Sequence, residues 1–332
     1  MNADELLLGI HVLDLGIWRP APFAAQLLAE LGATVTKVEP PGGDPMRMFP
    51  ALYRSLNGRK EILERDLKNP VEHASVLDLA GRMDVVIEGF RPGVATRLGI
   101  DHEAVGVRNA SVVYCSVSGY GQTGPLSSVP GHDLNYQALT GFLAARAPEI
   151  TRSGVPVGDL AGGAYAAMAV CAAITGRDRT GRGCRIDVSM ADVLLSWAAP
   201  EIGGELASSD EPGRGFPGYG TFACRDGHVT LGVVSEQHFW EALCRTVGLG
   251  DLASLDISER AARGPELREA LGDALTPWPR DDLVDALVGA GVPVAPVLTA
   301  AEAARSAPFV ERGTSRRDEH GRTVVEHPVR FD

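Results

Sequence analysis

Ile10-His11-Val12-Leu13-Asp14-Leu15, then residues 23–31, then Ala33-Thr34-Val35-Thr36-Lys37-Val38-Glu39 form the stretch whose reading decides the fold. The first run is short and apolar, the second carries apolar residues at helical spacing, and the third is β-branched and alternating. Strand, helix and strand in that order imply a parallel βαβ unit, because two parallel strands need a crossover between them. The pattern recurs: a helix predicted over 70–82 feeds Asp84-Val85-Val86-Ile87-Glu88, and a third strand over 111–117 runs into Gly119-Tyr120-Gly121-Gln122-Thr123-Gly124-Pro125. The expectation is an α/β protein whose first part is an open Rossmann-like parallel sheet with ligand-binding loops at its strand ends.

Farther along, residues 161–175 are dense in alanine and other small residues, which predicts a buried helix closing on Gly176. Residues 197–213 mix Gly, Pro, Ser and charge and read as a linker. The alternating runs 220–224 and 228–234, separated by Arg225-Asp226-Gly227, predict a hairpin, followed by helical segments to about Val297. The expected organisation is therefore a large domain over 1–196, a smaller α+β domain over 214–298, and a tail over 299–332 that returns to the large domain.

Composition narrows the function. Of 332 residues, 45% are hydrophobic and 22% charged, the balance of an ordinary globular chain. The net charge of −12 argues against nucleic acid as a partner, since phosphate neutralisation needs clustered Lys and Arg. Cys115, Cys171, Cys184, Cys224 and Cys244 show no Cys-x-x-Cys spacing, so neither a zinc framework nor a disulfide scaffold is expected, and the thiols read as reduced and mostly buried. No apolar run approaches the ~20 residues of a membrane span, and the N-terminus is acidic where a secretory signal is basic. A cytoplasmic setting is the resulting expectation. Gly-x-Gly-x-x-Gly after the first strand, a Walker loop and a Gly-x-Ser-x-Gly elbow are all missing, so no nucleotide cofactor or metal is expected.

Two segments carry proton-handling groups. Gly131-His132-Asp133-Leu134-Asn135-Tyr136-Gln137-Ala138 and Val157-Gly158-Asp159-Leu160-Ala161-Gly162-Gly163 place an imidazole and a carboxylate on turns of small residues leading into apolar segments. The plainer alternative is a surface His-Asp pair and a helix cap. Asp133 also has two readings, one of them as a carboxylate that orients His132.

The order of short motifs resembles the class III CoA-transferase family: Leu13-Asp14-Leu15, Ala21-Pro22-Phe23, Lys37-Val38-Glu39-Pro40, Asn57-Gly58-Arg59-Lys60, Glu88-Gly89-Phe90-Arg91-Pro92-Gly93, Gly121-Gln122-Thr123-Gly124-Pro125 and Arg179-Thr180-Gly181-Arg182-Gly183. Within it, the segment around His132 is similar to the α-methylacyl-CoA racemase branch. The resemblance implies an interlocked homodimer, an acyl-CoA substrate and no cofactor beyond the CoA of that substrate. It implies catalytic roles for His132, Asp159 and Glu236. It further implies binding roles for Lys37, Arg59, Lys60, Arg91, Asp133, Tyr136 and Gly158, with the first four as phosphate or adenosine contacts or, alternatively, solvated surface charges. The implied reaction is racemisation or epimerisation of a 2-methylacyl-CoA or related thioester through an enolate, with backbone N–H groups at the start of the helix near Ala161 as donors to the enolate oxygen. Two alternatives stand beside it: a CoA-transferase in which Asp159 is the nucleophile, and a catalytically idle acyl-CoA-binding protein. The bulky turn Gly16-Ile17-Trp18-Arg19-Pro20 and the acidic Glu61-Ile62-Leu63-Glu64-Arg65 depart from the family pattern.

Overall fold

The computed structural model describes residues 3–143, 153–199 and 216–331, so most of the expected linker lies outside the described residues. They group into two units: the first from the residues up to 143, 153–199 and 327 onward, the second from 216–326.

The first unit is built on β1 (His11–Asp14), β2 (Thr34–Glu39), β3 (Glu61–Glu64), β4 (Val85–Glu88), β5 (Val113–Ser118) and β6 (Cys184–Ser189). All neighbours are parallel and the order is β3-β2-β1-β4-β5-β6. The order reverses between β1 and β4, and the carboxyl ends of those strands open the crevice where such sheets bind ligands. Strands β4 and β5 are buried at every residue, as strands covered on both faces must be. The sixth strand, Cys184–Ser189, was not legible because it is an edge strand whose outer residues are polar and exposed.

Helices α1 (Pro20–Glu30), α2 (Pro50–Asn57), α3 (Pro70–Ala80), α4 (Val94–Arg97), α5 (His102–Gly106), α6 (Asp133–Leu139), α7 (Val157–Thr180) and α8 (Met190–Trp197) accompany the sheet. One face packs Val12, Val85, Val113 and Cys115 against α1 and α7; the other packs Leu13, Val86 and Tyr114 against α3. Proline at the first position of α1 and α3 suits a helix start, and Asn69 caps α3 by accepting the Val71 N–H at 3.0 Å.

Helix α7 differs from its expected form. It begins at Val157 and ends on Gly181, whose φ of 69° is the left-handed stop that Gly176 was expected to supply. Arg177 carries the helix past Gly176 by pairing with Asp84 at 2.9 Å. At 24 residues it is long and apolar enough to cross a membrane by length and composition, contrary to the expectation that no such run existed. In the structure, its Ala161, Ala166, Val170 and Ile174 are buried in the core with α1. A Cβ on Gly163 would stand 2.7 Å from the Pro20 carbonyl oxygen, so only glycine lets α7 approach α1 this closely.

The second unit is an antiparallel sheet of β7 (Tyr219–Cys224), β8 (Gly227–Gly232) and β9 (Val294–Pro296), with a two-residue turn at Arg225 and Asp226. Trp240 and Leu243 of α9 (Gln237–Thr246) pack with Leu267, Leu271, Leu283 and Leu287 on one face of it. Residues 299–326 group with this unit, including the hairpin β10 (Ser315–Arg317) and β11 (Thr323–Val325). Of the expected tail, residues from 327 onward group with the first unit. The five thiols are free; Cys115, Cys224 and Cys244 are buried, whereas Cys184 is exposed.

Candidate active site

A cavity of about 490 Å³ opens at the point where the strand order reverses. Ile17, Trp18 and Pro20 from the turn after β1, Gly89 to Arg91 from the turn after β4, and Ser118 to Tyr120 from β5 form its walls. His132, Tyr136 and Asp159 line the same cavity. The two proton-handling groups singled out in the sequence therefore line one cavity, although 26 residues of chain lie between them.

His132 is the residue before α6, in extended backbone, and its N–H donates to Asn135 Oδ1 at 2.9 Å. That bond fixes the turn and leaves the imidazole exposed at the cavity. Tyr136 is buried; its hydroxyl donates to the Gly131 carbonyl at 2.6 Å, and its ring meets Tyr120 edge-on at 5.0 Å. Burial, then the neighbouring Asp159 charge, pushes the Tyr136 phenol up to about 12, so it remains a donor.

Asp133 does not orient His132. Its Oδ1 accepts the backbone N–H of Gly158 at 2.7 Å and of Asp159 at 3.3 Å, so α6 caps the start of α7, where Pro156 offers no side-chain cap. Oδ2 accepts from Gln137 Nε2 at 2.5 Å. Gly158 is buried beside this contact, and a Cβ there would lie 3.1 Å from Asp133 Oδ1. Because Asp133 occupies those N–H groups and the Leu160 N–H bonds to Pro156 O, the start of α7 is not the open donor pair expected for an enolate oxygen.

Asp159 sits in the first turn of α7. Burial first, and the Asp133 charge second, push its carboxyl up to about 6, against the opposing charge of Arg19. A carboxyl there exchanges protons near neutrality.

Lys37 and Lys60 are not phosphate ligands. Both side chains are wholly buried beneath the β1–α1 turn: Lys37 Nζ lies 3.1 Å from Asp44 and 3.8 Å from Asp14, and Lys60 Nζ lies 2.8 Å from Asp14. Burial lowers the Lys60 ammonium to about 8, and burial would raise Asp14, but the two lysines hold it below the usual carboxylate range. Arg59 is exposed and lines neither this cavity nor the one described next, whereas Arg91 lines the cleft. Glu236 belongs to the second unit, where it is exposed just before α9 and accepts the Val234 N–H at 3.3 Å. Its own N–H, ahead of that of Val234, holds its carboxyl below the usual range.

Sequence reasoning missed a second cavity of about 170 Å³ at the ends of β2 and β3. Leu15, Val38 and Pro40 give it an apolar floor, Arg65 and Lys68 add two cations, and Ile17 and Phe90 line both cavities, so the two adjoin. The available signal was Arg65-Asp66-Leu67-Lys68 directly after the third strand, at the end of the sheet where ligands bind. Among the described residues, no three His, Cys, Asp or Glu side chains are grouped to hold a metal ion.

Comparison with known proteins identifies the family of the chain. The family model of CoA-transferase family III matches residues 7–332. The chain is 34% identical over 318 residues to the acetyl-CoA:oxalate CoA-transferase of Acetobacter aceti, covering 89% of this chain and 82% of that one. It is 31% identical over 334 residues to the human alpha-methylacyl-CoA racemase, covering 93% and 82%. A crystal structure of a CAIB/BAIF family protein from Brucella suis superposes with a TM-score of 0.88 at 30% identity, over 100% of this chain and 93% of that one.

Proposed function

The chain belongs to CoA-transferase family III, and from that premise we propose that it is a cofactor-independent racemase or epimerase of 2-methylacyl-CoA or related thioesters. The observation that carries this reading is the presence of His132 and Asp159 in one cavity, with the Asp159 carboxyl raised to about 6. The thioester carbonyl acidifies the carbon beside it. Inversion then needs one group to remove that proton and a second to return one to the opposite face. A carboxyl at about 6 can both accept and return a proton near neutrality, which is what a reaction run in both directions demands of it.

The second cavity suits the adenosine end of CoA: apolar walls accept the base, and Arg65 and Lys68 suit phosphate oxygens, with Arg91 nearer the thioester. The protein acts as a homodimer in this reading, in which Glu236 reaches the site from the partner subunit. Exposed apolar side chains on α6 to α8, among them Leu139, Met168, Leu195 and Trp197, support such an association.

A CoA-transferase is the second reading, favoured by relatives named as CoA-transferases at 34% and 32% identity. Incubation with a 2-methylacyl-CoA in heavy water, with and without a carboxylate acceptor, separates the two. We expect deuterium at the alpha carbon, no movement of CoA to the acceptor, and a roughly 10²- to 10⁴-fold loss of exchange in His132→Ala. CoA transfer without alpha exchange, together with hydroxylamine inactivation mapping to Asp159, replaces the racemase with the transferase.

A further inference from the structure

The turn joining β1 to α1 and the start of α1 are gripped at four backbone atoms by four buried charged side chains. Asp14 Oδ1 accepts the Gly16 N–H at 2.8 Å, Lys37 Nζ donates to the Gly16 carbonyl, and Asp44 Oδ1 accepts the Trp18 N–H at 3.3 Å. Lys60 Nζ donates to the Pro22 carbonyl at 2.8 Å. The same groups pair with one another, Lys37 with Asp14 and Asp44, Lys60 with Asp14, and all four side chains are inaccessible to solvent. Burying two cations and two anions rarely improves on apolar packing, so such a cluster calls for a role beyond stability. Here three members spend a hydrogen bond on the turn and Lys60 spends one on the helix start that follows it.

The turn needs that grip. Trp18 has φ 63°, and among the described residues it is the one non-glycine with a positive φ. A bulky side chain in that region is strained, and the conformation persists only where its surroundings over-determine it. The turn is also compressed at Gly16, where a Cβ would come within 2.6 Å of Ala21 and 2.7 Å of Pro22. What the strain achieves is visible at the cleft: the Trp18 side chain remains 40% exposed and forms part of the wall of the cavity that holds His132 and Asp159.

We propose that Trp18 is a specificity-determining wall of the cleft, held by the Asp14, Lys37, Asp44 and Lys60 clamp, and that it restricts the site to thioesters of compact acyl groups. The inference rests on reading the cleft as an acyl-CoA site. A wall on an unsupported turn would yield to a long chain; one whose backbone is fixed at three atoms, with the helix start behind it fixed at a fourth, does not. The four charged residues are positioning residues, acting on the acyl group only through the turn.

The test uses the whole protein and an acyl-CoA series from propionyl through 2-methylbutyryl to 2-methyldecanoyl. It measures kcat/KM for alpha-deuterium exchange, Kd by titration, and Tm. In Trp18→Gly the ratio of long-chain to short-chain kcat/KM rises about 10-fold or more, and Tm does not fall, since glycine adopts positive φ freely. Trp18→Leu raises the ratio as well. Lys37→Met, which keeps the indole but frees the turn, moves the ratio in the same direction, an effect that loss of packing alone does not produce. An unchanged ratio in both Trp18 variants overturns the proposal, and so does a fall in Tm with the ratio unchanged. If neither the parent protein nor any variant exchanges an alpha proton, the reaction assigned above fails on its own, and the Kd ratios across the series still decide whether Trp18 is the wall.

Discussion

Replacing Asp159 with Asn should make the protein more stable and inactive at once. The carboxyl is raised from 3.8 to about 6, a displacement of about 2 units. At about 1.4 kcal/mol per unit, the ionised group costs about 3 kcal/mol of folding stability at neutral pH. Asn keeps the volume and removes the charge, so it escapes both the burial penalty and the repulsion from Asp133, while its own amide still loses about 1 kcal/mol or more on leaving water. A net gain of about 1–2 kcal/mol is expected, a rise of several degrees in the melting transition. The pH dependence follows from the direction of the shift. The folded value lies above the unfolded one, so the penalty is complete above about pH 6, shrinks as pH falls toward 3.8, and is gone below it. Calorimetric melts of both proteins at pH 7.5, 5 and 3.5 should show the advantage of Asp159→Asn narrowing in that order, while alpha exchange is lost throughout. An Asn variant that melts at or below the parent at pH 7.5, or keeps the same advantage at pH 3.5, would refute the claim that burial and Asp133 strain this carboxylate.

Asp133→Asn retains an oxygen for the Gly158 N–H but drops the charge that helps to raise Asp159; the acid limb of the alpha-exchange profile should move to lower pH, measured as kcat/KM against pH, with the maximum little changed. Asp133→Ala removes the cap as well and should cost about 1 kcal/mol in denaturant unfolding. Lys68→Glu, which reverses a charge at the second cavity, should weaken binding of CoA by about 10-fold or more in titration calorimetry while kcat for a bound thioester changes little.

The fold was legible because its central strands obey period and burial together. Val12-Leu13, Val85-Val86-Ile87 and Val113 to Val117 are apolar on both faces, and each is joined to the next by a chain long enough for a helix. What escaped notice lies where burial is one-sided. The edge strand Cys184–Ser189 shows the polar surface of a loop, and the true end of α7 at Gly181 was hidden by Gly176, an earlier glycine that the helix tolerates because Arg177 is anchored to Asp84.

At the site the limit is of another kind. His132 and Asp159 were singled out by their types and flanking small residues, their catalytic roles came only from the resemblance, and the structure places both on the lining of one cavity. Lys37 and Lys60 were misread because a lysine in or beside a strand has the same letter whether its ammonium reaches a phosphate or turns inward to a carboxylate. The difference is made by Asp14, which stands 23 and 46 residues away in sequence and is brought beside Lys37 by the β1–β2 register and onto Lys60 by a bond of 2.8 Å. Charge in a motif therefore told where cations cluster but not which way they point. Here they point at the backbone of the turn that carries Trp18 and at the start of α1, and the cations that line the two cavities are the less conspicuous Arg65, Lys68 and Arg91.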